Sequence, residues 1–309
     1  MVGRAHPTLK IPRRFMASGI LLIDKPAGLT SFEVVRRVRR VLQVRKVGHL
    51  GTLDPFATGL LPLCLGEATK LTPFLMEAEK TYLARLKLGE ETDTQDLTGQ
   101  VVARCEKLPG EEEIRRAATG FVGEISQVPP MYSAVHHQGE RLYRLARRGE
   151  TVEPAPRPVT IHQLTVADVA GAEVTIRVRC SKGTYIRTLG ADLGRALGCG
   201  AHLTRLRRLA VGSFLVEDAL PLQDLEDLRP EEIRARLIPL ARCLQGMRAV
   251  RVEPGEARSL RQGRVLPNPE NNLATGEKVR VLLGEELVAV ACVDQREGQA
   301  VLKPVRVWV

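Results

Sequence analysis

Aromatic residues are scarce in this 309-residue chain, at 4% with a single tryptophan, Trp308, so each tyrosine stands out as a candidate for a particular task. Cysteine is sparse and dispersed. Its six positions (64, 105, 180, 199, 243 and 292) form no CxxC pair, a pattern that suits neither a disulfide framework nor a zinc site and fits a reduced cytoplasm. No apolar run approaches the length needed to span a bilayer. The stretch Gly19–Ile23 is cut short by Asp24, too early for the apolar core of a signal peptide. Neither an internal repeat nor a low-complexity tract is present.

What the chain has in excess is positive charge. Lysine and arginine number 46 against 36 acidic residues, a net charge of +10. The excess gathers in arginine-dominated runs: Arg36, Arg37, Arg39 and Arg40 with Arg45 and Lys46; Arg141, Arg144, Arg147 and Arg148; and Arg205, Arg207 and Arg208. Clustered guanidinium groups favour a polyanion, because binding one releases its condensed counterions. A hydrophobic fraction of 44% with 27% charged residues is otherwise that of an ordinary globular protein, long enough for a large domain and a small appendage.

Ile20–Ile23 reads as a buried strand ended by the turn-forming Asp24-Lys25-Pro26-Ala27-Gly28. Thr30 and Glu33 make a capping box, predicting a helix with Val34, Val38, Val41 and Leu42 inward and its arginines outward. Period-two alternation over Thr81–Leu88 and Glu173–Cys180 predicts half-buried strands of an antiparallel kind. A helix is expected from about Thr184 to Leu197, with Tyr185, Leu189, Leu193 and Ala196 at helical spacing. Residues 47–59, with three glycines and Pro55, read mostly as loop. The expected class is therefore α+β with a mixed, mainly antiparallel sheet. Residues 1–17 read as a flexible basic tail, with Met16 an alternative start. Residues 18–246 form the main domain, and 247–309 a β-rich C-terminal unit.

Several collinear segments carry a specific resemblance. Gly48-His49-Leu50-Gly51-Thr52-Leu53-Asp54-Pro55, Lys80-Thr81-Tyr82, Pro130-Met131-Tyr132-Ser133-Ala134, Gly183-Thr184-Tyr185-Ile186-Arg187 and Leu206-Arg207-Arg208-Leu209 resemble, in order, the TruB family of tRNA pseudouridine-55 synthases. Leu22-Ile23-Asp24-Lys25-Pro26, Gly66-Glu67-Ala68-Thr69-Lys70 and Thr92-Asp93-Thr94 extend the match. One short motif arises by chance, whereas this many in order do not.

The resemblance implies isomerisation of the uridine at position 55 in the T loop of tRNA, with Asp54 as nucleophile and Arg187 pairing with it. Tyr82 would stack on the flipped base and help move the C5 proton; Tyr185 and Leu206 would line the uridine pocket. His49 would fill the space left by the departed nucleotide, and Lys25 would contact substrate. A carboxylate suits the task, being ionised at neutral pH and able to attack covalently. A guanidinium fork both orients it and favours its charged form.

The resemblance further implies no cofactor, no metal, no guide RNA, no membrane and no obligate protein partner, hence a cytoplasmic monomer. It also implies an RNA-gripping thumb at about 128–152 and a C-terminal PUA-like RNA-binding domain. Leu50 departs from the Thr or Gly expected beside the histidine. A non-catalytic RNA-binding protein or tRNA-folding chaperone would account for the basic runs equally well, but not for Asp54, Tyr82, Tyr185 and Arg187 together.

Overall fold

A computed structural model of the chain describes residues 18–308 apart from 134, 138, 151, 153 and 269–272. The basic tail at 1–17, Met16 included, lies outside the described residues. The architecture is α+β. Ten strands form one sheet, whose main path runs Leu220–Pro221, Gly19–Lys25, Thr58–Leu65, Ala201–Val211, Lys80–Leu88, Glu173–Cys180, Arg157–Ala170 and Gly123–Gln127. Two of these pairings are parallel, Gly19–Lys25 with Leu220–Pro221 and Thr58–Leu65 with Ala201–Val211; the rest are antiparallel. The sheet is thus mixed and mainly antiparallel, as the alternation predicts.

The predicted alternation is realised residue by residue. Tyr82, Ala84, Leu86 and Leu88 are buried while their neighbours face outward, and Val174, Ile176, Val178 and Cys180 do the same. These two strands pair directly, Tyr82 opposite Val178. On their inner face lies the helix Ile186–Ala196, which contributes Leu189 and Leu193 to the same core. Ala196, expected on that buried face, is exposed, because the helix ends there as the chain turns away through Leu197 and Gly198.

The first helix, Ser31–Leu42, opens with the predicted capping box, Thr30 and Glu33 each accepting from the other's backbone N–H. It buries Val34, Val38 and Leu42 against Leu21, Ile23, Leu61 and Leu63 of the sheet. Its outer arginines are exposed or half-buried, and Arg37 and Arg40 both reach Glu226.

A second sheet of five strands follows, in the order Ala249–Arg251, Lys278–Leu283, Glu286–Arg296, Gln299–Val307, Leu266–Pro267. It has its own core around Val250, Leu260, Val279 and Leu302. It also shares a seam with the large sheet: Trp308, Leu287 and Val290 pack with Leu71, Phe214 and Leu244. The indole N–H of Trp308 donates to the Glu67 carbonyl at 3.1 Å, so the lone tryptophan serves as a fastener.

Candidate active site

The catalytic candidates converge around the loop Leu50–Ala57, where the interior strand Thr58–Leu65 of the large sheet begins. The loop leaves the short strand Val47–His49 and re-enters the sheet at Thr58–Leu65. Three anchors hold it. Ser31 Oγ accepts from the Leu53 amide at 2.8 Å and donates to its carbonyl at 3.2 Å, tying the loop to the first helix. Lys25 Nζ donates to the carbonyls of Pro26, Leu29 and Pro55 at 2.9, 2.6 and 3.1 Å. Arg208 donates from beneath to the carbonyls of Gly51, Thr52 and Leu60 at 3.0, 3.4 and 2.8 Å.

Asp54, at the crest, keeps 32% of its side chain exposed. Arg187, on the first turn of the Ile186–Ala196 helix, is buried and forks toward it. Its Nε lies 3.0 Å from Oδ2 of Asp54 and its Nη2 3.4 Å from Oδ1. The remaining donors go to the Thr94 carbonyl at 3.2 Å and the Tyr132 carbonyl at 2.8 Å. Burial pushes the Asp54 carboxyl above its ordinary range; Arg187 pulls it back down, and the charge of Asp96 adds to the rise.

Tyr82 is buried in the core with Leu53 and Ala57 of the loop, and Tyr185 is the N-cap of the helix that carries Arg187. Both phenols lie within electrostatic reach of Asp54, and burial raises both of their pKa values. Leu206 closes the same apolar wall with Leu53 and Ala57. Tyr185 is pinned at its backbone by Gln127, whose amide oxygen accepts from the Tyr185 N–H and whose amide nitrogen donates to its carbonyl. His49 stands at the entry to the loop, and burial together with the charge of Arg208 lowers the pKa of its imidazole, favouring the neutral ring. A cleft of about 570 Å³ adjoins the site, walled by Gln95, Thr188, Asp192, Pro129 and Met131.

Lys25 is fully buried and its three donors go to backbone carbonyls, so it acts on the loop from inside; burial lowers its pKa to about 8. The run Arg205, Arg207 and Arg208 is not a uniform polyanion face. Arg208 is 1% exposed, and Arg207 makes a two-pronged pair with Asp24 at 3.0 and 2.7 Å, leaving Arg205 exposed. Successive side chains of a strand point to opposite faces, and Arg208 falls on the same covered face as Leu206.

Sequence reasoning passed over Asp96. It is 4% exposed, its Oδ2 lies 3.7 Å from Arg187 Nη1, and its Oδ1 accepts from Thr94 and Thr98. The only signal was its place two residues beyond a motif already noticed. Among the described residues no group of three or more His, Cys, Asp or Glu is placed to hold a metal ion, and no helix is long and apolar enough to cross a membrane.

Comparison with known proteins places the fold. The chain superposes on a chain from the structure of an H/ACA RNP bound to a substrate RNA containing 2'-deoxyuridine (TM-score 0.73, 26% identity, 94% of this chain and 85% of that one). A chain of an archaeal box H/ACA sRNP complex matches similarly, with TM-score 0.72, 26% identity, and 94% and 86% coverage. Residues 39–186 match the family described as TruB family pseudouridylate synthase, N-terminal domain, and 187–247 that described as tRNA pseudouridylate synthase B C-terminal domain. The fold and these matches define an isomerase with the pseudouridine synthase fold. The chain belongs to the TruB family. It is 49% identical over 257 residues to tRNA pseudouridine synthase B of Aromatoleum aromaticum, covering 83% of each chain. It is also 46% identical over 309 residues to the protein of that name from Ralstonia nicotianae, covering 98% of each.

Proposed function

We propose that this chain converts the uridine at position 55 in the T loop of tRNA to pseudouridine, with Asp54 as nucleophile on a flipped-out nucleotide. The observation that carries the assignment is the Arg187 fork on a part-exposed Asp54, with Tyr82 and Tyr185 within its electrostatic reach. A guanidinium in that position holds the carboxylate ionised and aims it. The enzyme must break N1–C1′, turn the base and join C5 to C1′, and C5 then gives up its proton. Both faces of the base are needed, so it must leave its stack at a cost of a few kcal/mol. Tyr82 receives the ring and assists the C5 proton, Tyr185 and Leu206 line the pocket, and neutral His49 occupies the vacated position.

The tRNA assignment is supported by relatives at 45–49% identity carrying the name tRNA pseudouridine synthase B. That identity exceeds the 26% shared with the H/ACA chains, which favours a stand-alone enzyme without guide RNA. On this reading the protein is a cytoplasmic monomer, residues 128–152 form the thumb over the RNA hairpin, and the five-stranded unit from 247 is a PUA-like RNA-binding module. Mass-spectrometric mapping of modified tRNA tests the site assignment. Pseudouridine at position 55, absent when that uridine is replaced by cytidine, is expected; modification elsewhere alone would overturn it.

A further inference from the structure

Arg208 is a buried cation with no carboxylate partner among the described residues. Its guanidinium rests among the Gly51, Thr52 and Leu60 carbonyls, and at 1% exposure it has exchanged nearly all its water for those dipoles. Burying a charge this way is expensive. A neutral amide, with two N–H donors, would still serve two of the three carbonyls, so holding the loop does not by itself call for a full charge there. Directly across the antiparallel pair stands Tyr82, register partner of Arg208, so the two side chains share one face of the sheet and the guanidinium charge bears on the phenol. The charge is felt beyond Tyr82, since it also lowers the pKa values of Lys25, His49 and Lys80. A fixed positive charge therefore stands on the strand opposite Tyr82.

Both routes open to Asp54 call for positive potential there. If the carboxylate adds to the base, an O–C6 bond forms and the C5=C6 pair moves toward O4. If it attacks the sugar, an O–C1′ bond forms, C1′–N1 breaks, and the departing pair spreads over N1 and O2. Either way the uracil ring carries negative charge before C5 gives up its proton.

We propose that Arg208 is a positioning residue whose buried charge, acting through the Tyr82 hydroxyl, stabilises the anionic uracil ring. The inference rests on the function proposed above. A guanidinium donating toward the phenol oxygen polarises its O–H, making it a stronger donor to a ring oxygen.

The test compares Arg208→Lys, which keeps the charge, with Arg208→Gln, which keeps donors without it. The readouts are thermal melting, filter binding of tRNA and single-turnover release of tritium from 5-tritiated uridine. Both variants should bind tRNA within threefold of wild type. The lysine variant should stay within about tenfold of the wild-type rate, while glutamine loses on the order of 10²-fold, the scale of a removed transition-state donor. In a Tyr82→Phe background the two should differ less than threefold, as expected of groups acting as a unit. Equal slowing by lysine and glutamine would overturn the proposal, as would rate and affinity falling together, since either outcome leaves Arg208 a loop clamp only. Arg208→citrulline, neutral and near-isosteric with N–H donors retained, replaces glutamine if that protein shows no cooperative melt. Absence of release from wild type would instead refute the assigned activity and is read separately.

Discussion

Arg187 Nε stands 3.0 Å from Asp54 Oδ2, and the same guanidinium lies 3.7 Å from the buried Asp96 through Nη1. One cation thus holds a part-exposed carboxylate on one side and a buried one on the other. Replacing Arg187 by glutamine removes the aim of Asp54 and leaves Asp96 buried without its counter-ion. Single-turnover isomerisation should fall by about 10²-fold or more, with tRNA affinity little changed. Stability should drop by about 3 kcal/mol, the lower end for breaking a buried pair. Urea unfolding and tritium release check the two effects separately.

The pH dependence follows from Asp54. Its folded pKa lies above the ordinary 3.8, chiefly through burial. The ionised carboxylate is the nucleophile, so the rate should rise with pH along an acid limb whose midpoint exceeds 3.8. For stability the sign is opposite: this group's contribution is fully present below its unfolded pKa and is lost as pH rises through the raised folded value. Because the charge of Asp96 contributes to the rise, Asp96→Asn should move the acid limb to lower pH. An unmoved limb, or one moved upward, in a single-turnover pH series would contradict the electrostatic account.

Gly59 permits the close approach that seats Arg208. Its φ is +99°, and a β-carbon there would overlap the Arg208 backbone, its partner in the parallel pairing. Gly59→Ala should therefore destabilise the fold by at least about 2 kcal/mol, combining backbone strain with a clash that no side-chain rotation relieves. A urea midpoint within error of wild type would refute this.

The segment 128–152 makes a sharper prediction than its arginine count suggests. Arg148 is already engaged, with Glu140 through two nitrogens and with Glu150, whereas Arg144 is exposed. Arg144→Glu should weaken tRNA binding and flatten its salt dependence more than Arg148→Glu does. Filter-binding titrations at several salt concentrations decide it, and equal effects would count against the thumb reading of this surface.

Much of this is legible in the sequence. Alternation at Tyr82–Leu88 and Val174–Cys180 announces paired strands because one sheet face is buried. The capping box at Thr30 and Glu33 marks a helix start because its bonds are local. Asp54, Tyr82, Tyr185 and Arg187 were found through motifs. What stayed hidden depends on distant pairing. Arg208 and Lys25 look like surface cations in sequence, and only strand register and loop packing reveal them as internal donors. Asp96 lies 42 residues from Asp54 and 91 from Arg187 along the chain, and nothing local announces that Arg187 connects them.

The most direct test of the account is tritium release from tRNA carrying 5-tritiated uridine, comparing the wild type with Asp54→Asn. Forming the C5–C1′ bond expels the C5 hydrogen, so release reports isomerisation itself. The account predicts about one equivalent per tRNA from wild type, and none from a folded, tRNA-binding Asp54→Asn protein, since an amide lacks the nucleophilic charge. Undiminished release from Asp54→Asn would contradict it and place the nucleophile elsewhere in the cleft.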